Sequence, residues 1–188
     1  MNIEYDSCTE NDEAVIKWQL KTNNVYCAAI VHRCSYGFPQ IILLNPISNC
    51  EDGGKSLNYE SISNILWLTC PFLNKKIHDI ENTGAIEKIQ SFIASERTLQ
   101  EGMSDAHAHY YYLRKRVYNV FFNDIYPEKE IKVFNTGVGG IRDVDSVKCL
   151  HIHFCHYHLC NDNLVGLITT EMLNDSIECE EGNCFHAE

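Results

Sequence analysis

Seven residues able to bind a metal ion, attack an electrophile or move a proton fall within twelve positions: Cys149, His151, His153, Cys155, His156, His158 and Cys160. Thiolate sulfur and imidazole nitrogen are the ligands that tetrahedral zinc favours. Residues three, four and seven apart share a helix face, so Cys149, His153, His156 and Cys160 form one face of a helix and His151, Cys155 and His158 another. A helix supplies two ligands from neighbouring turns to one ion and seldom more, so a complete site needs ligands from elsewhere. Cys34, in a turn between two strands, and Cys70, at a strand end and helix start, are the candidates. The expected metal set is Cys34, Cys70, Cys149 and His153, with His151 and His156 as alternates and zinc as the cofactor. The competing reading is structural: a buried thiol is a good small hydrophobe, and a buried histidine often only satisfies a carbonyl. Cys155, His158 and Cys160 read as packing or surface positions. Cys179 and Cys184, with His186, make a peripheral candidate motif.

A second signal lies just upstream, in Gly137-Val138-Gly139-Gly140. Successive backbone N–H groups in a glycine-rich turn before a helix can cradle an anion. Gly139 and Gly140, with Arg142 and Lys148 beside them, form the expected anion-binding set, and the expected partner is an anionic small molecule. The Gly-Lys-Ser/Thr ending of a P-loop is absent. The alternative is a tight turn that lets the helix pack close to a sheet. Nucleophilic catalysis is a further possibility. A helix N-terminus lowers a thiol pKa, which makes Cys70 a candidate nucleophile with Arg33 or His156 assisting, and Cys149 a second candidate. No Cys-x-x-Cys motif is present, which disfavours a thioredoxin-type dithiol cycle.

The elements that must position these groups follow from pattern. Thr9 or Asn11 can cap a helix over 12–21, with Ala14, Val15, Trp18 and Leu20 on its apolar side. Residues 25–31 read as a strand covered on both faces, hairpinned to a second strand at 40–44 through a turn containing Gly37 and Pro39. Residues 45–58 read as a polar loop and 65–68 as a third strand. Thr69 is the expected cap and Pro71 the first-turn residue of a helix over 71–82. Helices over 84–95 and 99–123 follow. In the last, Tyr110, Leu113, Val117, Val120 and Phe121 form a core stripe, and His107 and His109 read as incidental. Val133 and Phe134 can add an edge strand, and a final helix covers 164–173. The fold class expected is α+β: a small, mostly antiparallel sheet of three or four strands under five or six helices.

The 188 residues suit one domain, placed at 1–173, and an acidic tail at 174–188 expected to be mobile. A formal net charge of -11, with only Lys75-Lys76 and Arg114-Lys115-Arg116 clustered, disfavours a nucleic-acid coat. Apolar runs such as Ile41-Ile42-Leu43-Leu44 are too short to span a membrane. The acidic N-terminus lacks the pattern of a secretory signal, so the cytoplasm is the expected compartment. Ten cysteines in a reducing compartment are thiols or ligands rather than a disulfide framework.

Several of these pieces together carry a family resemblance. They are Asp12-Glu13-Ala14-Val15 with Gln19-Leu20, Arg33-Cys34 with Gly37 and Pro39, and Trp67-Leu68-Thr69-Cys70-Pro71. Gly139-Gly140-Ile141-Arg142, Lys148-Cys149-Leu150-His151 with His153 and His156, and Asn163 with Gly166 complete them. Across about residues 12–166 the chain resembles a mainly bacterial family, domain of unknown function 501. The resemblance implies functional weight at Arg33, Cys34, Cys70, Arg142, Lys148, Cys149, His151, His153 and His156, and it brings no reaction. The leading expectation is a zinc-binding protein, with metal-assisted hydrolysis of an anionic substrate as its chemistry. A metal-free cysteine enzyme and a non-catalytic interaction module are the alternatives.

Overall fold

The computed structural model describes residues 5–24, 26–45, 47–49, 55–57, 63–122, 136–143, 145–174, 177–180 and 182–187. The strands are β1 (Asp6–Ser7), β2 (Cys27–Arg33), β3 (Pro39–Leu44), β4 (Ile47–Asn49), β5 (Lys55–Leu57) and β6 (Leu66–Leu68). The helices are α1 (Glu10–Leu20), α2 (Pro71–Glu81), α3 (Ala85–Ala94), α4 (Arg97–Phe122), α5 (Leu150–Cys160) and α6 (Leu164–Met172). One antiparallel sheet has the order β1-β2-β3-β6, and β4 and β5 form a separate antiparallel pair. The chain is an α+β protein, as its pattern implied.

β3 is the centre of the molecule. All six of its residues are buried. Ile42 and Leu44 point toward α1 and pack with Ile16 and Ile30. Ile41 and Leu43 point the other way, into a larger core with Leu66, Leu68, Leu73, Ile77 and Phe154. A strand covered on both faces needs no polar alternation, which is why Ile41 to Leu44 reads as a continuous apolar run. The same reading was expected of 25–31, where among the described residues only Ala29 and Ile30 are buried. Leu43 is fully enclosed, so truncating it to alanine costs about 2–5 kcal/mol.

Several expectations are corrected. Thr9, not Asn11, caps α1: its Oγ1 accepts from Asp12 N at 3.2 Å, and Asp12 Oδ2 accepts from Thr9 N at 3.0 Å. The buried face of α1 is Asp12, Val15, Ile16 and Gln19, while Trp18 is exposed. Two polar residues take core positions there because each has partners across the sheet. Thr69 does not cap α2. Its hydroxyl donates to Pro39 O at 3.2 Å, and Cys70 takes the N-cap place. The stretch 45–58 contains the β4–β5 pair. Val120 of the α4 stripe is exposed. The edge strand expected at Val133 and Phe134 lies outside the described residues.

The C-terminal segment has contacts that local pattern did not mark. Residues 177–180 and 182–187 lie against the β2–β3 turn, and Cys184 is buried. Ser35 N and Oγ both donate to Glu178 Oε2, at 3.0 and 3.1 Å, and Tyr36 Oη donates to Glu180 O at 2.9 Å. Phe185 packs edge-on against Phe38.

Candidate metal centre

α5 begins where α2 ends, and three potential ligands meet there. Cys149 is the N-cap of α5, with extended backbone at φ -157°. That geometry takes it off the helical face it would otherwise share with His153. Its Sγ instead lies 3.5 Å from His151 Nδ1. Glu81, the last residue of α2, puts Oε1 3.4 Å from the same nitrogen and accepts from Leu150 N at 2.7 Å. A carboxylate on a first-turn amide is the favoured arrangement at a helix N-terminus. The ligand atoms of Glu81, Cys149 and His151 all lie within 4.8 Å of one another.

Second contacts fix the orientation. His151 Nε2 lies 3.1 Å from Asn74 O, a pure acceptor, so Nε2 carries the hydrogen and donates. Nδ1 then faces a thiol, which can donate to it, and a carboxylate, which it meets favourably only through a proton or a metal ion. Burial opposes a charge on His151, but the Cys149 sulfur, the Asn74 carbonyl and Glu81 outweigh it and raise the imidazole to about 9. Asn74 is itself held by Nδ2 donating to Leu68 O at 2.8 Å and Cys70 O at 3.1 Å. Cys149 and His151 open on a cleft of about 730 Å³ whose walls include Tyr26, Trp67, Ile152 and Cys155. Three protein ligands beside a cleft is the pattern of an open zinc site, in which the fourth position is kept for water or substrate.

A second group forms deeper, between α4 and α5: His109, His156 and Cys160, again within 4.8 Å of one another. Its atoms are already committed. Asn163 Nδ2 donates to His156 Nδ1 at 2.9 Å, so His156 Nε2 carries the hydrogen and donates to His109 Nδ1 at 3.2 Å. Cys160 Sγ donates to His156 O at 3.0 Å. Burial, with His109, His153 and His107 nearby, pushes His156 well below its usual range. Burial raises the Cys160 thiol to about 11. A neutral imidazole with both nitrogens bonded and a protonated thiol describe a hydrogen-bonded core. His109, read as incidental, is a member of it. His107 is too: its Nδ1 accepts from Val138 N at 3.0 Å.

The expected metal set is therefore divided. His153 is fully buried, its Nδ1 hydrogen-bonded to Asn163 Oδ1 at 3.1 Å, and burial lowers it to about 3. It joins neither ligand group, whereas its alternates His151 and His156 each join one. Cys34 and Cys70 lie by the β2–β3 turn. The catalytic expectations change as well. Burial raises Cys70 to about 11, outweighing the Leu73 and Phe72 N–H groups that favour its thiolate. Arg33 is a clasp: its Nη1 and Nη2 donate to Asp12 at 2.6 and 3.0 Å, its Nε to Asp6 at 2.9 Å, and Nη1 also to Gly37 O at 3.0 Å. His156 lacks a free nitrogen to act as base.

The glycine loop is a tight turn whose amides are mostly spent. Gly137 N donates to Ile141 O at 2.7 Å, Gly140 N to Gly137 O at 3.1 Å and Ile141 N to Val138 O at 3.4 Å. Gly139 and Gly140 have φ of +69° and +76°, the left-handed region that glycine tolerates. Arg142 and Lys148 are exposed. The cation bound to the loop is Arg114 from α4, fully buried and donating to Thr136 Oγ1 at 2.8 Å. Glu81 and Asn74 were missed by sequence reasoning, and Asn163 entered it only as part of the family resemblance, with no role. Glu81 is 68 positions from Cys149 in the sequence, so no local spacing marks it.

An α+β chain carrying Cys, His and Glu groups able to hold a metal ion is the class of protein that this fold and site define. The chain belongs to the family described as protein of unknown function (DUF501), whose model matches residues 30–171. No curated protein and no solved structure matches it. The matched span contains Cys34, Cys70, Glu81, Cys149 and His151 and stops short of Cys179. Among the described residues, no helix is long and apolar enough to cross a membrane.

Proposed function

We propose that this protein holds zinc between Glu81, Cys149 and His151 and uses the open fourth position to activate water against an anionic or carbonyl-bearing small molecule. One observation carries the reading: three ligand atoms within 4.8 Å converge beside a cleft, and the far nitrogen of the histidine is fixed by a backbone carbonyl. That second contact is the usual way a ligating imidazole is oriented. A zinc ion there would lower the pKa of its bound water and polarise a substrate oxygen. Tyr26, Trp67 and Ile152 give the cleft apolar walls. The Cys149 thiolate and the Glu81 carboxylate would neutralise the ion, so the positive charge that favours an anionic substrate is that of exposed Lys148, next to Cys149. The described cysteines are all free thiols, which supports a reducing, cytosolic setting.

The test is elemental analysis of the reduced, untagged, full-length protein beside Cys149→Ala and His151→Ala. Each variant should hold about one equivalent less zinc than the parent, the amount one such site takes. Equal zinc in parent and variants would end the metal reading. The 3.5 Å contact between Cys149 Sγ and His151 Nδ1 favours one other reading, a metal-free thiolate–imidazolium pair acting as a nucleophile. In that case Cys149 alkylates faster than the other thiols in zinc-free protein, and His151→Ala removes the difference.

A further inference from the structure

The cleft beside Cys149 and His151 extends well past them. It is lined from the first turn of α5, across β6, to Leu20, Thr22 and Asn24 at the C-terminal end of α1. A volume of about 730 Å³ is room for a drug-sized molecule. The candidate metal ligands account for one end, so the other walls decide what enters.

Trp67 is the largest side chain on those walls. β6 is the last strand of the sheet, and Trp67 stands opposite Ile42 of β3. Its neighbours Leu66 and Leu68 are buried in the larger core. Alternation along the strand sends Trp67 to the other face. There Ile42 and Leu44 are covered by packing with Ile16 of α1, but Trp67 remains 46% exposed. Among the described residues the indole has no aromatic or cationic partner, and its N–H has no acceptor. A ring laid on it would recover the apolar burial that the fold leaves unmade, and would add the attraction between aromatic faces.

The walls are also uncharged. Among the described residues that line the cleft there is no Asp, Glu, Lys or Arg. His151 is the imidazole on the wall, and Glu81 and Cys149 lie 3.4 and 3.5 Å from its Nδ1, so charge on that side is met locally, with or without a metal ion. Lys148 is exposed and lies outside the lining. The polar lining at Asn24, Asn64 and Asn74 consists of neutral amides, which donate and accept. An ion entering such walls gives up water without gaining a counter-charge, whereas a neutral carbonyl compound loses far less.

We propose that the cleft takes an uncharged aromatic carbonyl compound, an arenecarboxamide or its ester, with the ring stacked on Trp67 and the carbonyl turned toward Cys149 and His151. This rests on the reading of Glu81, Cys149 and His151 as the reacting centre, and it selects the carbonyl-bearing class over the anionic one. In the hydrolysis, the hydroxyl of one water bonds to the carbonyl carbon. The bond from that carbon to the amide nitrogen or ester oxygen breaks, and the departing group takes the proton. The acid product ionises to a carboxylate, which uncharged walls hold less well than the substrate. Trp67 sets specificity and takes no part in the bond changes.

The experiment is an NMR titration of the reduced full-length protein with three probes: benzamide, benzoate and cyclohexanecarboxamide. The Trp67 indole N–H resonance, assigned by its loss in Trp67→Phe, is the reporter in the parent. Benzamide should bind tightest and move that resonance. Benzoate should bind at least about 10-fold more weakly because of its charge, and the saturated amide about 3–10-fold more weakly because it cannot stack. Followed by other resonances of the cleft, Trp67→Leu should abolish the preference for the flat ring and Trp67→Phe should keep it. Cys149→Ala should retain both preferences, since they belong to the walls. Failure of the metal reading, seen as equal zinc in parent and Cys149→Ala, is thus separate from failure here. The proposal is overturned if benzoate binds as tightly as benzamide, or if the flat-ring preference survives Trp67→Leu. It is also overturned if benzamide up to about 10 mM leaves the Trp67 resonance unmoved, since that bounds the affinity below any useful recognition.

Discussion

Arg33 serves three acceptors at once, and the most consequential is Asp12. The pair is bidentate, and the Asp12 side chain is 7% exposed. The Arg33 hydrogen bonds hold the Asp12 carboxyl down at about 2 against the usual 3.8, in spite of burial. Between those values the unfolded chain binds the proton more readily than the folded one. Stability from this group is therefore fully present above about pH 4–5 and is lost as pH falls through 2. A shift of this size is worth about 2 kcal/mol. Urea denaturation of parent and Asp12→Asn between pH 2 and 7 should show the parent more stable at pH 7 and the gap closing toward pH 2. A gap independent of pH would mean that the pair contributes nothing through its charge.

At the scale of elements, the helix that carries Cys149 and His151 is positioned by close approach to α6. Gly166 sits against α5 so tightly that a Cβ would lie 2.2 Å from His153 O and 2.4 Å from Tyr157 Cβ. The first of these is backbone and cannot swing aside. Gly166→Ala therefore has to push the two helices apart, at a cost of about 1–3 kcal/mol. A fall in the denaturant midpoint, with little change in slope, is the expected result. A midpoint equal to the parent's would show that the packing is looser than the structure has it. The N-terminal cap of α1 makes a smaller case: Thr9→Ala should cost about 1 kcal/mol, since it removes the acceptor for Asp12 N.

At the scale of the molecule, the C-terminal segment acts as a brace across elements distant in sequence. It covers Gln40 and the β2–β3 turn through Ile177, Glu178 and Glu180, and it buries Cys184 beside Gln19. A chain ending at residue 174 should melt at lower temperature and expose Cys70 to thiol reagents. Thermal denaturation and timed alkylation of Cys70 measure both effects. Unchanged melting and a still-protected Cys70 would mean that the segment is dispensable to the fold.

Local chemistry determined much of this protein from sequence alone. The α+β class follows from an apolar run at Ile41 to Leu44 and from helical periodicities with their breakers, because burial and backbone geometry act over a few residues. The density of Cys and His around Cys149 was likewise visible, as were Cys34 and Cys70. Partnership was not. Cys149 leaves the expected helical face because it is an N-cap with extended backbone, and a ligand face read at helical spacing does not hold there. Glu81 reaches His151 only because α2 ends where α5 begins. The glycine loop resembles an anion cradle until its amides are traced to Ile141, Gly137, Val138 and His107. The bonds from Ser35, Tyr36 and Gln40 to the acidic C-terminal segment join residues more than 130 positions apart, and no local pattern marks them. Ligand identity depends on distances of a few ångströms between segments far apart in sequence, and only tertiary packing sets those distances.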